Sequence, residues 1–454
     1  MSLLSLILKN MRQRRLSTWL TTLSVALGTM MGVALLILGR ETPKLFGQAD
    51  FGYSLVVGGK GDPLQLVLNN AYLLGSPPGV VDIGLYHDLA GRDPELSRHV
   101  EWAVPIIWGD THEGRRIIGT DTSFFTDLTP RRDRAIELAE GRAFEDDTWQ
   151  AVVGSEAART LGIDLGYRFR AFHGNEDTGH FHEDEWDVVG ILAPTGTAFD
   201  RAVYVPLATQ YALGEHGQAI LDQQNVRRSA DELGQMYDDR QAELARVVEA
   251  GGTRGEGHVL TPEGKVLPLV PEELWRISGI LVGTRGGFAT SKLDFAINNG
   301  DAATAARPGD QMGEFFETFL QPPARILLMV TAGVMLVAAV SILVGIYNSV
   351  QARRREVAIL RSLGATRDKV LLLVAGEATL IGIIGAVVGM VGGHAMAAIA
   401  GELLRSRIGG GIAWWTVGPD ELAYVGGVVI LAMLAGIVPA SLAYRTSVAE
   451  HLAS

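Results

Sequence analysis

The sequence predicts an α-helical membrane protein with four transmembrane helices and a large extracytoplasmic α/β domain inserted between helices 1 and 2. Three observations predict it. The 454-residue chain contains four long windows almost free of charge. Roughly 280 residues between the first two windows alternate strand-like and helix-like patterns. The mean hydropathy is +0.19, although the chain also carries 90 charged residues as 39 Lys+Arg and 51 Asp+Glu, so apolar and charged residues must be segregated along it. The formal net charge of −12 argues against nucleic-acid binding by the bulk field, which needs Lys and Arg at phosphates. The absence of cysteine excludes disulfides, thiolate catalysis and Cys-based zinc sites.

Residues 1–16 read as a cytoplasmic amphipathic helix. Leu3, Leu4, Leu6, Ile7 and Leu8 stand beside Lys9 and Arg12, the pattern of a helix lying in the membrane interface. Residues 17–39 form the first span. Ser17 to Leu38 has no charge, is too long for a signal peptide, and ends in Leu36-Ile37-Leu38-Gly39-Arg40, a poor cleavage site. Residues 40–323 are the extracytoplasmic α+β domain. Strands are expected at Tyr53–Val57, Val100–Ile107, Arg116–Gly119, Gln150–Gly154, Tyr167–Phe172, Trp186–Leu192, Ala202–Val205 and Ile277–Val282. A helix is expected at Ser155–Leu161, stopped by Gly162. Within 210–274 the character changes and suggests an insertion. It holds a charged amphipathic helix, Ser229–Ala250, with Leu233, Met236, Tyr237, Leu244 and Val248 as its apolar positions. Gly309–Leu320 reads as a helix that ends at Pro322-Pro323.

The second span is 324–350, the third 370–401 and the fourth 422–444, with a short outer loop at 402–421. Lys and Arg near the helix ends set the orientation. The N-terminal segment carries Lys9, Arg12, Arg14 and Arg15 without an acid. The 351–369 segment carries six basic residues against Glu356 and Asp368. Both are therefore expected in the cytoplasm together with the 445–454 tail, in a bacterial inner (plasma) membrane. Divided this way, the cytoplasmic pieces sum to about +8 and the remainder to about −20.

Three stretches together resemble one family. Arg353-Arg354-Arg355-Glu356-Val357-Ala358-Ile359-Leu360-Arg361-Ser362-Leu363-Gly364-Ala365-Thr366 is similar to the cytoplasmic segment of FtsX-type permeases. Residues 152–162 (VVGSEAARTLG) and 188–207 (VVGILAPTGTAFDRAVYVPL) resemble the periplasmic core domain of MacB-like permeases. Ser447-Val448-Ala449-Glu450-His451-Leu452 is similar to the family's C-terminal ending, with Ser447 in place of proline. The resemblance implies a stand-alone permease of an ABC transporter. It implies that two such chains, as a homodimer, pair with two copies of a separate ATPase, and that Arg353, Arg354, Arg355, Glu356, Val357, Ile359, Leu360, Arg361, Leu363 and Gly364 form the coupling segment. In physical terms, arginines beside the bilayer anchor on anionic headgroups, while Val357, Ile359, Leu360 and Leu363 offer an apolar face to a partner groove.

The chain itself has no G-x-x-x-x-G-K-[ST] phosphate loop. Gly58-Gly59-Lys60-Gly61 and Gly264-Lys265-Val266 fall short of it, so ATP and Mg are expected on the partner and no catalytic residue is expected here. The resemblance further implies mechanotransmission, in which ATP-driven motion reaches the outer domain and drives export or extraction of a substrate. The alternative is a non-transporting, FtsX-like regulator of a periplasmic partner such as a cell-wall hydrolase.

Three local features remain. Gly385, Gly389 and Gly393, with Gly28 and Gly32, make G-x-x-x-G steps that allow close helix packing, read here as support for a permease dimer. Glu377 lies inside helix 3, where a carboxylate is paired or functional; a structural hydrogen bond is expected. Residues 173–185 gather three histidines and five acids in the loop between two strands. His173, His180, His182, Glu176 and Glu183 are the candidate ligands, and Zn is the candidate ion, because imidazole with carboxylate suits it. His180 and His182, two apart on extended chain, face one side. A solvated polar hairpin is the other reading. Without H-E-x-x-H, a metallohydrolase is disfavoured. A metal-linked function would add a periplasmic adaptor or metal-binding protein to the partners.

Overall fold

The computed structural model describes residues 3–13, 15–45, 52–130, 135–173, 179–214, 229–352, 366–408 and 412–445. The chain divides into two compact units. One holds Met1–Phe46, Phe316–Ser406 and Gly411–Ser454; the other holds essentially Gly47–Phe315.

The first unit is helical. α1 (Leu3–Gln13) turns Ile7 and Met11, one turn apart, into an apolar cluster with residues of the long helices and leaves Leu8 exposed. Among the described residues, four helices are long and apolar enough to cross a membrane: α2 (Arg15–Leu45), α6 (Gln321–Ala352), α7 (Arg367–Ile408) and α8 (Pro419–Arg445). Helix is the form such segments must take, since lipid offers no partner for backbone N–H and C=O groups. Their common core is built from Val25, Met335, Ala338, Ile342, Val374, Ala378, Ile381, Val428 and Ala432.

Pro322 and Pro323 do not interrupt the backbone, contrary to the expectation from sequence. A π-helical turn, Phe316–Leu320, leads straight into α6. Proline clashes with the carbonyl four residues back. For Pro322 and Pro323 those carbonyls belong to Thr318 and Phe319, inside the wider turn, where the i−4 hydrogen bond is already given up.

The second unit is α/β. Its strands are β1 (Leu55–Gly59), β2 (Val81–Asp82), β3 (Val100–His112), β4 (Arg115–Thr120), β5 (Leu138–Gly141), β6 (Gln150–Val153), β7 (Arg168–His173), β8 (His180–Leu192), β9 (Val203–Pro206), β10 (Thr253–Arg254), β11 (His258–Leu260), β12 (Val266–Pro268), β13 (Arg276–Ile277), β14 (Gly279–Thr284) and β15 (Ala303–Ala306). Ten of them form one sheet in the order β15-β1-β14-β3-β4-β9-β6-β8-β5, with β7 bridging β3 and β8. β4–β9 and β6–β8 are parallel and the other pairs antiparallel.

β3 is the spine of this sheet. Its first half pairs with β14, and its second half with β4 and β7. Each half carries its own core. Leu55, Val57, Ile280, Val282 and Leu293 anchor one; Ile117, Val153, Phe169, Trp186, Val188 and Val205 anchor the other. β1 is buried at every residue, as a central strand covered on both faces must be.

Helices in this unit follow their local signals. α3 (Ser155–Leu161) starts after Gly154 and stops where Gly162 takes φ 67°, the left-handed conformation that glycine adopts freely. α4 (Ala230–Glu249) begins with a full capping box, Ser229 Oγ accepting from the Glu232 N–H and Glu232 accepting from the Ser229 N–H. Leu233 and Leu244 are its buried anchors, while Val248 faces solvent. α5 (Gly287–Asn298) packs Leu293 and Ile297 inward and exposes Phe288 and Phe295.

Candidate functional site

The clearest chemistry in the α/β unit lies where β3, β7 and β8 meet. β8 begins at His180, six residues earlier than the expected Trp186 start, and β7 runs through His173. The histidines thus sit on strands instead of in a loop. The extension was hidden because its inward positions, His182 and Asp184, are polar, so the alternation that ends in buried Trp186 lacks its apolar mark. Cross-strand pairing sets His173 opposite His180 and Phe172 opposite Phe181.

The third participant, Asp110, carries no mark in the local sequence. Asp110 comes from the far end of β3, beyond the expected end of that strand at Ile107. Its aim follows from a bulge: Trp108 pairs with Ile118 and Thr111 with Arg116, so β3 carries one residue more than β4 over this stretch. Bulges bend a strand and re-aim its side chains. Immediately beyond, Thr111 pairs with Phe172 of β7.

Asp110 joins the two histidines with separate oxygens. His173 Nδ1 lies 2.6 Å from Asp110 Oδ1, and His182 Nε2 lies 2.8 Å from Asp110 Oδ2. The Asp110 and His182 side chains are 8% and 6% exposed, whereas His173 is 46% exposed. One ligand-type atom from each of Asp110, His173 and His182 fits within 4.8 Å of the others. The His180 ring stands beside them, 5.7 Å from His173 and 5.4 Å from His182 between centroids. Glu183 is exposed on the opposite face of β8 and is not part of the group; Glu176 lies outside the described residues.

Aromatic packing fixes the floor of this region. Phe169 stacks on Trp186 at 5.5 Å, and Trp186 Nε1 donates to Thr209. Further along β8, burial pushes the Asp184 carboxyl above its usual range, while His258 and His182 pull it back.

A separate open cleft of about 820 Å³, lined by Tyr86, Glu101, Trp102, Asp127 and Arg285, lies elsewhere in this unit.

In the helical unit the five glycines pack within the chain. A Cβ on Gly389 would stand 2.5 Å from the Ala26 carbonyl oxygen and 2.5 Å from Thr29 Cβ. Gly385 faces Val25 and Thr22, and Gly393 faces Val33 and Met30, so one glycine ladder on α7 receives α2. Gly28 receives Met335 of α6; Gly32 receives the Tyr424 ring of α8, whose hydroxyl donates to the Gly28 carbonyl at 3.1 Å. Each of these close approaches is made within one chain. A G-x-x-x-G step marks a close approach of backbones but not whose backbone approaches.

The ends of these helices share a polar knot. Arg40 of α2 donates to Glu421 of α8 at 2.7 Å and to the Thr416 carbonyl at 2.8 Å. Glu421 is fully buried and also accepts from the Gly418 N–H. His394 of α7 lies 3.0 Å from its other oxygen. Glu377 is buried and lines a small cavity with Ser17, Thr18, Thr21 and Gly345. The coupling segment, with Arg353, Arg354, Arg355, Glu356, Val357, Ile359, Leu360, Arg361, Leu363 and Gly364, lies outside the described residues.

Four helices able to cross a membrane, with a large α/β domain between the first and second, define a multi-pass membrane protein with one large domain outside its spans. Two family models match this arrangement: the MacB-like periplasmic core domain over residues 18–237 and the FtsX-like permease C-terminal over residues 328–448. Together the two matches support a MacB/FtsX-like ABC permease. No curated protein matches it at a significant level.

Proposed function

We propose that the chain is the permease subunit of an ABC transporter that couples ATP hydrolysis by a separate ATPase to movement of its periplasmic domain, driving export or extraction of a substrate from the periplasm or outer leaflet. The observation that carries this reading is the joint presence of a MacB-like periplasmic core and an FtsX-like C-terminal region in one chain. Two permease chains and two ATPases form the working unit in the bacterial inner membrane, with both termini cytoplasmic, as the basic N-terminal and 351–369 segments favour. The chain itself is not an enzyme.

Residues 353–364 dock on the ATPase. Closure of the ATPase pair shifts the helices, and α2 and α6, which flank the periplasmic domain in the sequence, relay the shift. Full switching from one state to the other requires ATP to favour the second state by about 5.5 kcal/mol. The FtsX-like C-terminal match also supports a second reading, a transmembrane regulator of a periplasmic hydrolase; the long MacB-like domain favours transport. We read a metal-linked cargo or gate as part of the function, on the strength of the Asp110–His173–His182 cluster.

The test is isolation of the chain from its native membrane in mild detergent. Wild type brings down an ATP-hydrolysing subunit, and Glu356→Lys, which reverses a charge inside the coupling segment, loses it. Retention of full ATPase activity by Glu356→Lys contradicts the docking role of this segment.

A further inference from the structure

We propose that Asp110, His173 and His182 bind one divalent transition-metal ion of the zinc class, and that the ion pins the β7–β8 hairpin to β3. The consequence for transport rests on the metal-linked reading above, but the binding site stands on geometry alone.

The donor set is two imidazoles and one carboxylate. That combination suits Zn²⁺ and its transition-metal neighbours, whereas Ca²⁺ and Mg²⁺ take oxygen ligands. The donors come from strands distant in sequence, Asp110 being 63 residues from His173 and 72 from His182. Among the described residues three supply ligands, and a tetrahedral ion takes a fourth.

The spacing fits an ion. Ligand atoms of a tetrahedral zinc site stand about 3.3 Å apart when Zn–N is about 2.05 Å. Here the two nitrogens contact Asp110 at 2.6 and 2.8 Å. Entry of the ion therefore spreads these contacts by about 0.5–0.7 Å and replaces two hydrogen bonds with three metal bonds. Rings bound to one zinc place their centroids about 5.2 Å apart by the same geometry. The His173, His180 and His182 rings are separated by 5.4 to 5.9 Å. His180 is thus close enough to take the fourth position with a side-chain rotation.

Rigidity also favours a site. Asp110 and His182 are nearly buried, held by a bulge and by a strand whose next inward aromatic, Trp186, is fully buried in the core. His173 is half exposed and leaves a path from solvent. An ion held by all three would tie the paired strands β7 and β8 to the spine of the sheet.

The experiment uses the full chain in detergent with a purification tag that lacks histidine. Because the chain has no cysteine, no thiolate competes for the ion. Zn²⁺ is titrated against a chromophoric chelator, and Co²⁺ is followed by its visible absorption. The expected result is one Zn²⁺ per chain at micromolar affinity or tighter and a tetrahedral Co²⁺ spectrum. Asp110→Asn and His173→Ala should each weaken binding about tenfold or more, while Glu183→Gln leaves it unchanged. His173 is half exposed, so its removal tests the site without opening the core. Zn²⁺ should also slow hydrogen exchange in 168–173 and 180–187. Binding no tighter than millimolar, or binding indifferent to both Asp110→Asn and His173→Ala, would overturn the proposal and leave a hydrogen-bonded polar cluster. Neither outcome bears on ATPase association, which the Glu356→Lys comparison reads separately.

Discussion

At the residue scale, buried polar groups carry the sharpest consequences. Asp121 accepts from Tyr86 Oη at 2.5 Å and from Ser123. Burial pushes its carboxyl above the usual range, and the hydrogen bonds from Ser123 and Tyr86 pull it back only in part. The folded chain therefore holds this proton to higher pH than the unfolded chain does. This contribution is complete below the unfolded value of about 3.9 and is lost as pH rises through the raised folded value. Asp121→Asn has no such proton to lose. The stability of the variant relative to wild type should rise between pH 4 and pH 7, followed by thermal unfolding in detergent; a difference that stays flat with pH would contradict it. Asp110 shows what residue-level reading of the sequence cannot reach. His173, His180 and His182 announced themselves by clustering, but their carboxylate partner is 63 residues from His173 and is aimed by a bulge that no local pattern marks.

At the scale of elements, the membrane spans were the most legible part, because lipid imposes long apolar helices and leaves no alternative. Strands with apolar inward faces, such as Gln150–Val153, were legible too. β15, an Ala-Thr-Ala-Ala strand, gave no signal because alanine has little strand preference and only pairing with β1 makes it extended. The glycine ladder of α7 was visible as a packing seam, but the partner helix was not. Its packing makes a direct prediction. Gly389→Val should destabilise the helical unit by about 1–3 kcal/mol, the usual result of overpacking a tight contact, because even its Cβ meets Ala26 and Thr29. Gly426→Ala, where a Cβ meets open space, should be neutral or slightly stabilising. Thermal aggregation of the purified variants in detergent checks the pair, and equal midpoints for both would remove the seam.

At the scale of the whole molecule, we propose that ATP hydrolysed by a partner moves the periplasmic domain. The net charge of −12 read as one number says little about this. Divided by the topology proposed above, it becomes a basic side of about +8, suited to headgroups and a docked subunit, and an acidic remainder. The cysteine-free sequence makes the motion measurable, since a single introduced cysteine, labelled before the ATPase is added, is the sole labelling site in this chain. Ala296 is exposed on α5 of the periplasmic domain. With a spin label on Ala296→Cys in both copies of the ATPase-bound complex, pulsed dipolar spectroscopy reports the distance between the two periplasmic domains. The account predicts one distance distribution without nucleotide and a shifted one when ATP is trapped. Superimposable distributions in the two states, in a complex that still hydrolyses ATP, would contradict it.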